Sequence, residues 1–478
     1  MKFSQKISGG FRLIITVVLI TLLFSFAETL AFANEWKAGV ASSLITPDKP
    51  MWTAGYGGRT EPAVDKISDL YVKALALNDP FGNTMVILTS DLIGINFDIC
   101  VNVASKVAEK YNIPRHSILF SAAHTHGGPE LRPYGKDQPP GYHSMVIDKN
   151  IVPEEYGARI AVYVKWLEEK MVETIGRAID DMKPSRLYFT TGQPTPFAVS
   201  RRFPGPDGIL YRSTPSSYYT GGPRDDTVPV LKVEGIDGKV LAILFGYACH
   251  AITLDANEFN ADYPGFAQEY IEKDFPGAIA MFMQGCSGQL VPNARFQIEY
   301  AQGHGRALAQ AVRNAIKGGR QTTVTGPLRS AYNEVKLEFV PIPPKNIIAE
   351  EKNSSNTAVK SKAEFLFGKL EKGETIDLGI NCPIQAISFG KELLLIGISG
   401  DVVVDYAVKV KTVFADKASF VWASGYCNGY IWGYLPTYNI LKEGGYESSE
   451  RFPLGPFTDD VEDRVMNGIR GLVGIVTR

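Results

Sequence analysis

Residues 84–129 read TMVILTSDLIGINFDICVNVASKVAEKYNIPRHSILFSAAHTHGGP, and the stretch changes period twice. Thr84–Ser90 is an apolar run of strand length. Phe97–Tyr111 spaces its apolar residues as a helix does, and 117–122 is a second apolar strand. Strand, helix and strand in succession are the usual mark of a parallel pair in an α/β sheet. Two of the chain's 6 histidines, His124 and His126, follow the second strand. In extended backbone, residues i and i+2 project to the same face. Both rings can then reach one site, one as a ligand and the other as proton donor or second ligand. Gly127, Gly128 and Pro129 end the strand and open a loop. The plainer alternative is two polar side chains satisfied by backbone at a strand end.

Working outward, an amphipathic helix is expected over 161–181, stopping at Lys183-Pro184. Strands at 227–233 and 239–248 flank Asp237-Gly238 as a hairpin, and the second runs into His250. A helix at 265–274, a strand at 278–283 and a helix at 298–316 follow. Asn353 to Asn356 and the Lys/Glu-rich segment after them read as a solvated surface insertion. Strands at 384–389 and 392–398 form another hairpin, ending at Ser399-Gly400-Asp401, and 420–423 is a last strand before an aromatic, glycine-rich loop. With no repeat and no linker, residues 34–478 are expected to form one α/β domain. Its expected core is a mixed or mainly parallel sheet flanked by helices, with active-site loops at the C-terminal ends of the strands.

The first 33 residues belong to a different category. Lys2, Lys6 and Arg12 precede an uncharged, largely apolar run over 13–26, too short for a comfortable membrane span. Ala31-Phe32-Ala33 then supplies a small-x-small cleavage pattern. A secretory signal peptide is expected, with a mature chain beginning at Asn34 and working outside the cytoplasm, secreted or periplasmic. The composition, 45% hydrophobic and 21% charged over 478 residues with a formal net charge of -2, is that of a globular protein. Without a basic excess it argues against a nucleic-acid partner. Cys100, Cys249, Cys286, Cys382 and Cys427 are too few for a disulfide framework and odd in number, so at least one is free or intermolecular. A Cys249–Cys286 bridge stays open. No signal for an oligomeric state is present.

His124, His250 and Asp401 each lie within a few residues of the end of an expected strand. In α/β sheets, sites gather where the loops beyond strand carboxyl ends converge. Two imidazoles and a carboxylate suit a catalytic zinc, which needs few protein ligands and an open position for water. Zinc lowers the pKa of bound water to about 7. The spacings alone leave a metal hydrolase and a non-catalytic chain both open.

Several separated motifs then point the same way. They are Ser121-Ala122-Ala123-His124-Thr125-His126-Gly127-Gly128-Pro129, Ser200-Arg201-Arg202, and Tyr247-Ala248-Cys249-His250 with Ala261-Asp262-Tyr263-Pro264-Gly265. Gly285-Cys286-Ser287-Gly288 with Val291-Pro292-Asn293 follows. Asn428-Gly429-Tyr430 through Tyr434-Leu435-Pro436-Thr437, and Gly444-Gly445-Tyr446-Glu447, complete the series. In this order they resemble the neutral/alkaline non-lysosomal ceramidases, over essentially the whole mature chain. The resemblance implies an α/β catalytic domain that cleaves the amide of N-acylsphingosine, or a related N-acyl lipid, by zinc-activated water. It implies one zinc per chain, held by His124, His250, Asp401 and Tyr434. It also implies His126 as the acid–base group, Tyr446 as oxyanion donor near the scissile carbonyl, and Arg201 as a substrate contact. The partner would be a lipid or small amide substrate, with peripheral membrane contact left open.

The chain departs from the family pattern at several positions. Asp401 stands where glutamate is usual, and Ser200 where asparagine is more usual. Gln289 and Val291 stand where the large ceramidases carry aspartate and serine. Valine cannot be a nucleophile, and Gly285-Cys286-Ser287-Gly288-Gln289 lacks the last glycine of a nucleophile elbow. The additional β-sandwich domain of the large members is not expected here. These departures keep a second reading open: a catalytically weak relative that binds lipid or glycan without turnover. A phosphatase is a weaker third reading, because no phosphate-cradling glycine loop is evident.

Overall fold

The strand–helix–strand unit at 84–122 forms as read. In the structure, a computed structural model that describes residues 35–478 except 57–58, 133–153, 205–209, 213–220, 356, 432 and 449–454, β1 (Trp36–Leu44), β2 (Tyr71–Asn78), β3 (Thr84–Ser90) and β4 (Ile118–Ala122) lie side by side. β3 and β4 are parallel, joined by the helix Phe97–Tyr111. β5 (Lys183–Gly192) follows the helix Glu154–Asp180. The short β6 (Ala198–Ser200), β7 (Arg202–Pro204) and β8 (Leu210–Arg212) leave the sheet. β9 (Val228–Gly235) and β10 (Val240–Tyr247) form the expected hairpin, and β11 (Ile279–Gln284) runs parallel to β10. β12 (Leu290–Pro292) pairs with β6, and β13 (Thr322–Val324) with β5.

The order β11-β10-β9-β5-β1-β2-β3-β4 contains two parallel neighbours, β3–β4 and β10–β11; the rest are antiparallel. The sheet is mixed rather than mainly parallel. Its carboxyl ends would point apart in a flat sheet. A twist of about 20–25° per step, accumulated from β11 to β4, turns one edge by roughly 150° relative to the other. The edge strands β4 and β11 approach each other, and the ends of β4 and β10 meet.

A second sheet is built from β14 (Leu328–Glu338), β15 (Gly379–Phe389), β16 (Leu393–Ile398) and, after β17 (Asp401–Val402), β18 (Phe420–Ser424). β17 leaves this sheet to pair with β19 (Tyr434–Leu435). Alternation along the strands builds three layers of core. Val72, Ala74, Val86, Leu88 and Phe120 face the helices Phe97–Tyr111 and Glu154–Asp180. Leu75, Leu77, Ile87 and Leu119 face the other way, against Ile387, Leu393, Leu395 and Trp422 of the second sheet. Leu394, Ile396 and Ile398 turn outward under the helices Val404–Val413 and Val461–Val476. The two sheets therefore pack face to face with helices on both outer sides.

The solvated insertion expected after Asn353 is instead a helix, Thr357–Glu371, packed on Lys345–Glu351 with Ile348, Ala363 and Leu366 buried between them. These three, with Ile342, Phe365, Phe367, Leu370 and Ile376 packed against them, make a two-helix seam that the surrounding charges concealed. Residues 1–33, expected as a signal peptide, lie outside the described residues. Among the described residues, no helix is long and apolar enough to cross a membrane.

Candidate metal centre

Three strand ends deliver three ligating side chains. His124 follows β4, His250 follows β10, and Asp401 follows β16. An isolated parallel bridge between Thr125 and Ala251 sets the first two segments side by side. Asp401 is turned in by Gly400, whose φ of +91° only glycine adopts readily; a Cβ there would lie 2.6 Å from Ile431 Cγ1. The ligating atoms of His124, His250 and Asp401 all lie within 4.8 Å of one another, and all three residues are buried.

His124 and His126 do converge, Nε2 to Nε2 at 3.5 Å, but not through extended backbone. The strand stops at Ala122, and His124 is left-handed, with φ +60°. That conformation costs a non-glycine residue about 1–2 kcal/mol and persists where surrounding structure over-determines it. Here His124 N–H donates to Leu92 O at 2.9 Å and Nδ1–H to Ile93 O at 2.8 Å.

The hydrogen bonds settle the tautomers. A carbonyl oxygen only accepts, so His124 Nδ1 carries its proton toward Ile93. His250 Nδ1 carries its own toward Ser287 O at 2.8 Å and Leu290 O at 3.1 Å. Each Nε2 is left as a lone pair. Asp401 Oδ1 lies 3.2 Å from His124 Nε2 and 3.6 Å from His250 Nε2, and no described residue donates a hydrogen bond to it. Its other oxygen, Oδ2, accepts the Tyr430 hydroxyl. Burial pushes both imidazoles below their ordinary pKa, against the pull of Asp401 on His124, so both stay neutral. Three buried acceptors facing one another repel unless a cation stands among them. Two neutral imidazoles and a carboxylate are a donor set that fits a divalent metal.

The remaining expected residues line one side. Tyr434 is the register partner of Asp401 in the β17–β19 bridge and stacks on His250, centroids 6.4 Å apart. Tyr446 lies against Tyr434 at 5.2 Å. The Arg201 guanidinium sits 5.2 Å from the Tyr434 ring centre and 4.8 Å from that of Tyr446. Arg201 is buried and not a surface residue. Its Nε donates to Glu447 Oε1 at 2.6 Å and its Nη2 to Gly288 O at 2.7 Å, while Arg202 takes the other Glu447 oxygen at 2.8 Å. His126 packs edge-on against Tyr56, 4.8 Å between centroids, and a side chain at Gly55 would lie 2.3 Å from its Nδ1.

Other positions have structural work. Ser287 is buried; its Oγ accepts from Gln284 at 2.7 Å and lies 3.1 Å from the Tyr426 hydroxyl, and no histidine or carboxylate among the described residues hydrogen-bonds to it. Gln289 bonds the Val404 N–H at 2.9 Å and Asp405 at 2.7 Å, tying down the start of Val404–Val413. Val291 packs with Val199, Ile252 and Tyr56. All five cysteines are free and buried, so Cys249 and Cys286 form no bridge. Tyr430, Tyr426 and Glu447 carry contacts that the sequence did not assign. Tyr430 and Glu447 fell inside the quoted motifs, and Tyr426 stood beside them.

No protein-family model and no curated protein matches this sequence. Solved structures do match. Neutral ceramidase from Pseudomonas aeruginosa superposes with a TM-score of 0.70 at 16% identity, over 92% of this chain and 74% of that one. A ceramidase complexed with C2 gives 0.68 at 16% identity, over 92% and 75%. At such identity the likeness is one of fold: the chain is built on the neutral-ceramidase architecture.

Proposed function

We propose that this chain is a zinc-dependent amidohydrolase that cleaves the amide of N-acylsphingosine or a related N-acyl lipid, exported after removal of residues 1–33. One observation carries the reading: the mutual approach of His124 Nε2, His250 Nε2 and Asp401 Oδ1 with no donor among them. The shared architecture with neutral ceramidase supports the substrate class. The two imidazoles favour zinc and its borderline neighbours over the hard cations, and Tyr434, the register partner of Asp401, would be the fourth ligand of one zinc per chain. Bound there, zinc would polarise the scissile carbonyl and lower the pKa of a water to about 7.

The chain's own residues do the rest. Ile93, Ser287 and Leu290 carbonyls hold the two ligand imidazoles as Nδ1–H tautomers, keeping each Nε2 aimed inward. His126 Nε2, beside His124, accepts a proton from the attacking water and returns it to the leaving nitrogen. Tyr446 donates its hydroxyl to the amide oxygen as negative charge builds there. Arg201, held by Glu447, keeps a positive charge beside both tyrosines. The reading of a relative that binds without turnover drew on Asp401, Gln289 and Val291. Gln289 and Val291 have structural roles of their own, and Asp401 still directs Oδ1 toward both imidazoles.

Purified mature protein, stripped with a chelator and reloaded, tests the proposal on N-acylsphingosine beside short N-acyl amines. Zinc should restore amide cleavage. One bound zinc without cleavage of either would leave the binding-only relative. N-terminal sequencing of exported protein should start at Asn34, and full-length chain held in the membrane fraction would make the segment an anchor.

A further inference from the structure

The backbone of residues 93–95, just after β3, touches the candidate centre three times without supplying a ligand. Ile93 O accepts from His124 Nδ1 at 2.8 Å. Ile95 O accepts the Tyr430 backbone N–H, also at 2.8 Å. Gly94, between them, lies against the Tyr430 ring so closely that a Cβ would stand 2.5 Å from Tyr430 Cγ. Tyr430 also stacks on Tyr426, centroids 6.1 Å apart and planes 23° from parallel. A ring fixed at its backbone and packed on both Gly94 and Tyr426 has little freedom, and its hydroxyl donates to Asp401 Oδ2.

We propose that Tyr430, seated by residues 93–95, is the positioning residue that makes Asp401 bind metal through one oxygen only. The inference rests on the metal reading above. With Oδ2 engaged by the phenol, only Oδ1 faces His124 Nε2 and His250 Nε2. A carboxylate free at both oxygens can close on a metal with both, filling the position a catalytic centre keeps open for water or substrate. The phenol thus tunes affinity and coordination number together. It also accounts for aspartate here: the short side chain, anchored at Gly400, is held where one oxygen meets Tyr430 and the other meets the imidazoles.

Tyr430→Phe keeps the ring on Gly94 and removes only the hydroxyl. Gly94→Ala keeps the hydroxyl and displaces the ring. Zinc titration by calorimetry and the visible absorption of the cobalt(II)-loaded protein are the two readouts. Tyr430→Phe should bind zinc about 10–100-fold more weakly. Its cobalt absorption should lose intensity as a second carboxylate oxygen joins the coordination sphere. Gly94→Ala should do the same, and the double variant should be no worse than the stronger single effect, since both act through one contact. Should Gly94→Ala fail to fold, Tyr430→Phe decides alone. Unchanged zinc affinity and an unchanged cobalt spectrum in Tyr430→Phe would overturn the proposal while leaving the metal reading intact. A wild-type chain that takes up no metal would overturn both. Metal uptake with the expected Tyr430 effect but no amide cleavage would sink only the substrate.

Discussion

Around Arg201 every charge meets its opposite, whereas around Asp401 acceptors meet acceptors. Glu447 spans Arg201 and Arg202 with both oxygens, at 2.6 and 2.8 Å. Burial alone would raise the Glu447 carboxyl and lower Arg201. Ion pairing outweighs burial at Glu447 and holds its carboxyl below the ordinary value, while Tyr434 first and Glu447 second hold the Arg201 guanidinium above its own. That cluster is complete as protein. In the other, Asp401 Oδ1 and two imidazole lone pairs crowd one point, and the donors that orient the rings are all spent outward on carbonyls. Two buried polar clusters of similar size at one end of the molecule therefore differ in kind. One contributes to the fold, and the other leaves a buried carboxylate oxygen with no donor among the described residues, which is what a candidate metal site offers.

The sharpest way to break this contrast is to remove the acceptors. His124→Ala, His250→Ala and Asp401→Ala should each abolish zinc binding, read by elemental analysis of the folded variants. Asp401→Asn, which keeps the volume but not the charge, should bind far more weakly than wild type, and Asp401→Glu should retain metal. Full zinc content in any alanine variant would remove that residue from the centre. His126→Ala comes next: it should keep its zinc and lose about 10²–10⁴-fold in kcat. A metal-free His126→Ala beside a zinc-loaded His124→Ala would reverse the two roles.

The Arg201 side should answer in stability instead of metal. Glu447→Ala leaves the buried Arg201 guanidinium without its carboxylate, with Arg202 still paired to Glu443, and should cost about 3–5 kcal/mol in urea unfolding. A loss under about 1 kcal/mol, the range of an exposed pair, would mean that the cluster relaxes into solvent. The smallest effect concerns pH. Because the folded Glu447 carboxyl sits below its ordinary value of 4.5, its contribution is present above about pH 4.5 and is lost as pH falls through the folded value. The stability gap between wild type and Glu447→Gln should therefore narrow on acidification. A constant gap would show that the bond to Arg201 does not depend on the charge.

Much of the architecture was legible because it is written in periods. The apolar runs of 84–90 and 118–122, the helical spacing of 97–111 and the Asp237-Gly238 turn each depend on neighbours a few residues away. Local sterics and the need to bury one face decide such elements. His124, His250 and Asp401 were legible for the same reason, as chemistry-bearing residues at strand ends. β1, β2 and β14 were passed over. Ala74 and Ala76 in β2, and the polar residues of β14, make weak patterns whose strand character comes from the strands they pair with.

What tertiary structure alone decided is how the pieces meet. A mixed sheet whose twist folds its two edges together is a sum over all its strands, and no window of sequence contains that sum. His124 adopts a left-handed backbone because Leu92 and Ile93 hold it there, not because histidine prefers it. Tyr430 reaches Asp401 across 29 residues, and Arg201 reaches Glu447 across 246. The sequence determined which side chains could hold a metal and that three of them would stand at strand ends. The direction of each lone pair was decided by the carbonyls and the phenol that the fold brings beside it, because a hydrogen bond reads distance and angle in space and carries no trace of separation along the chain.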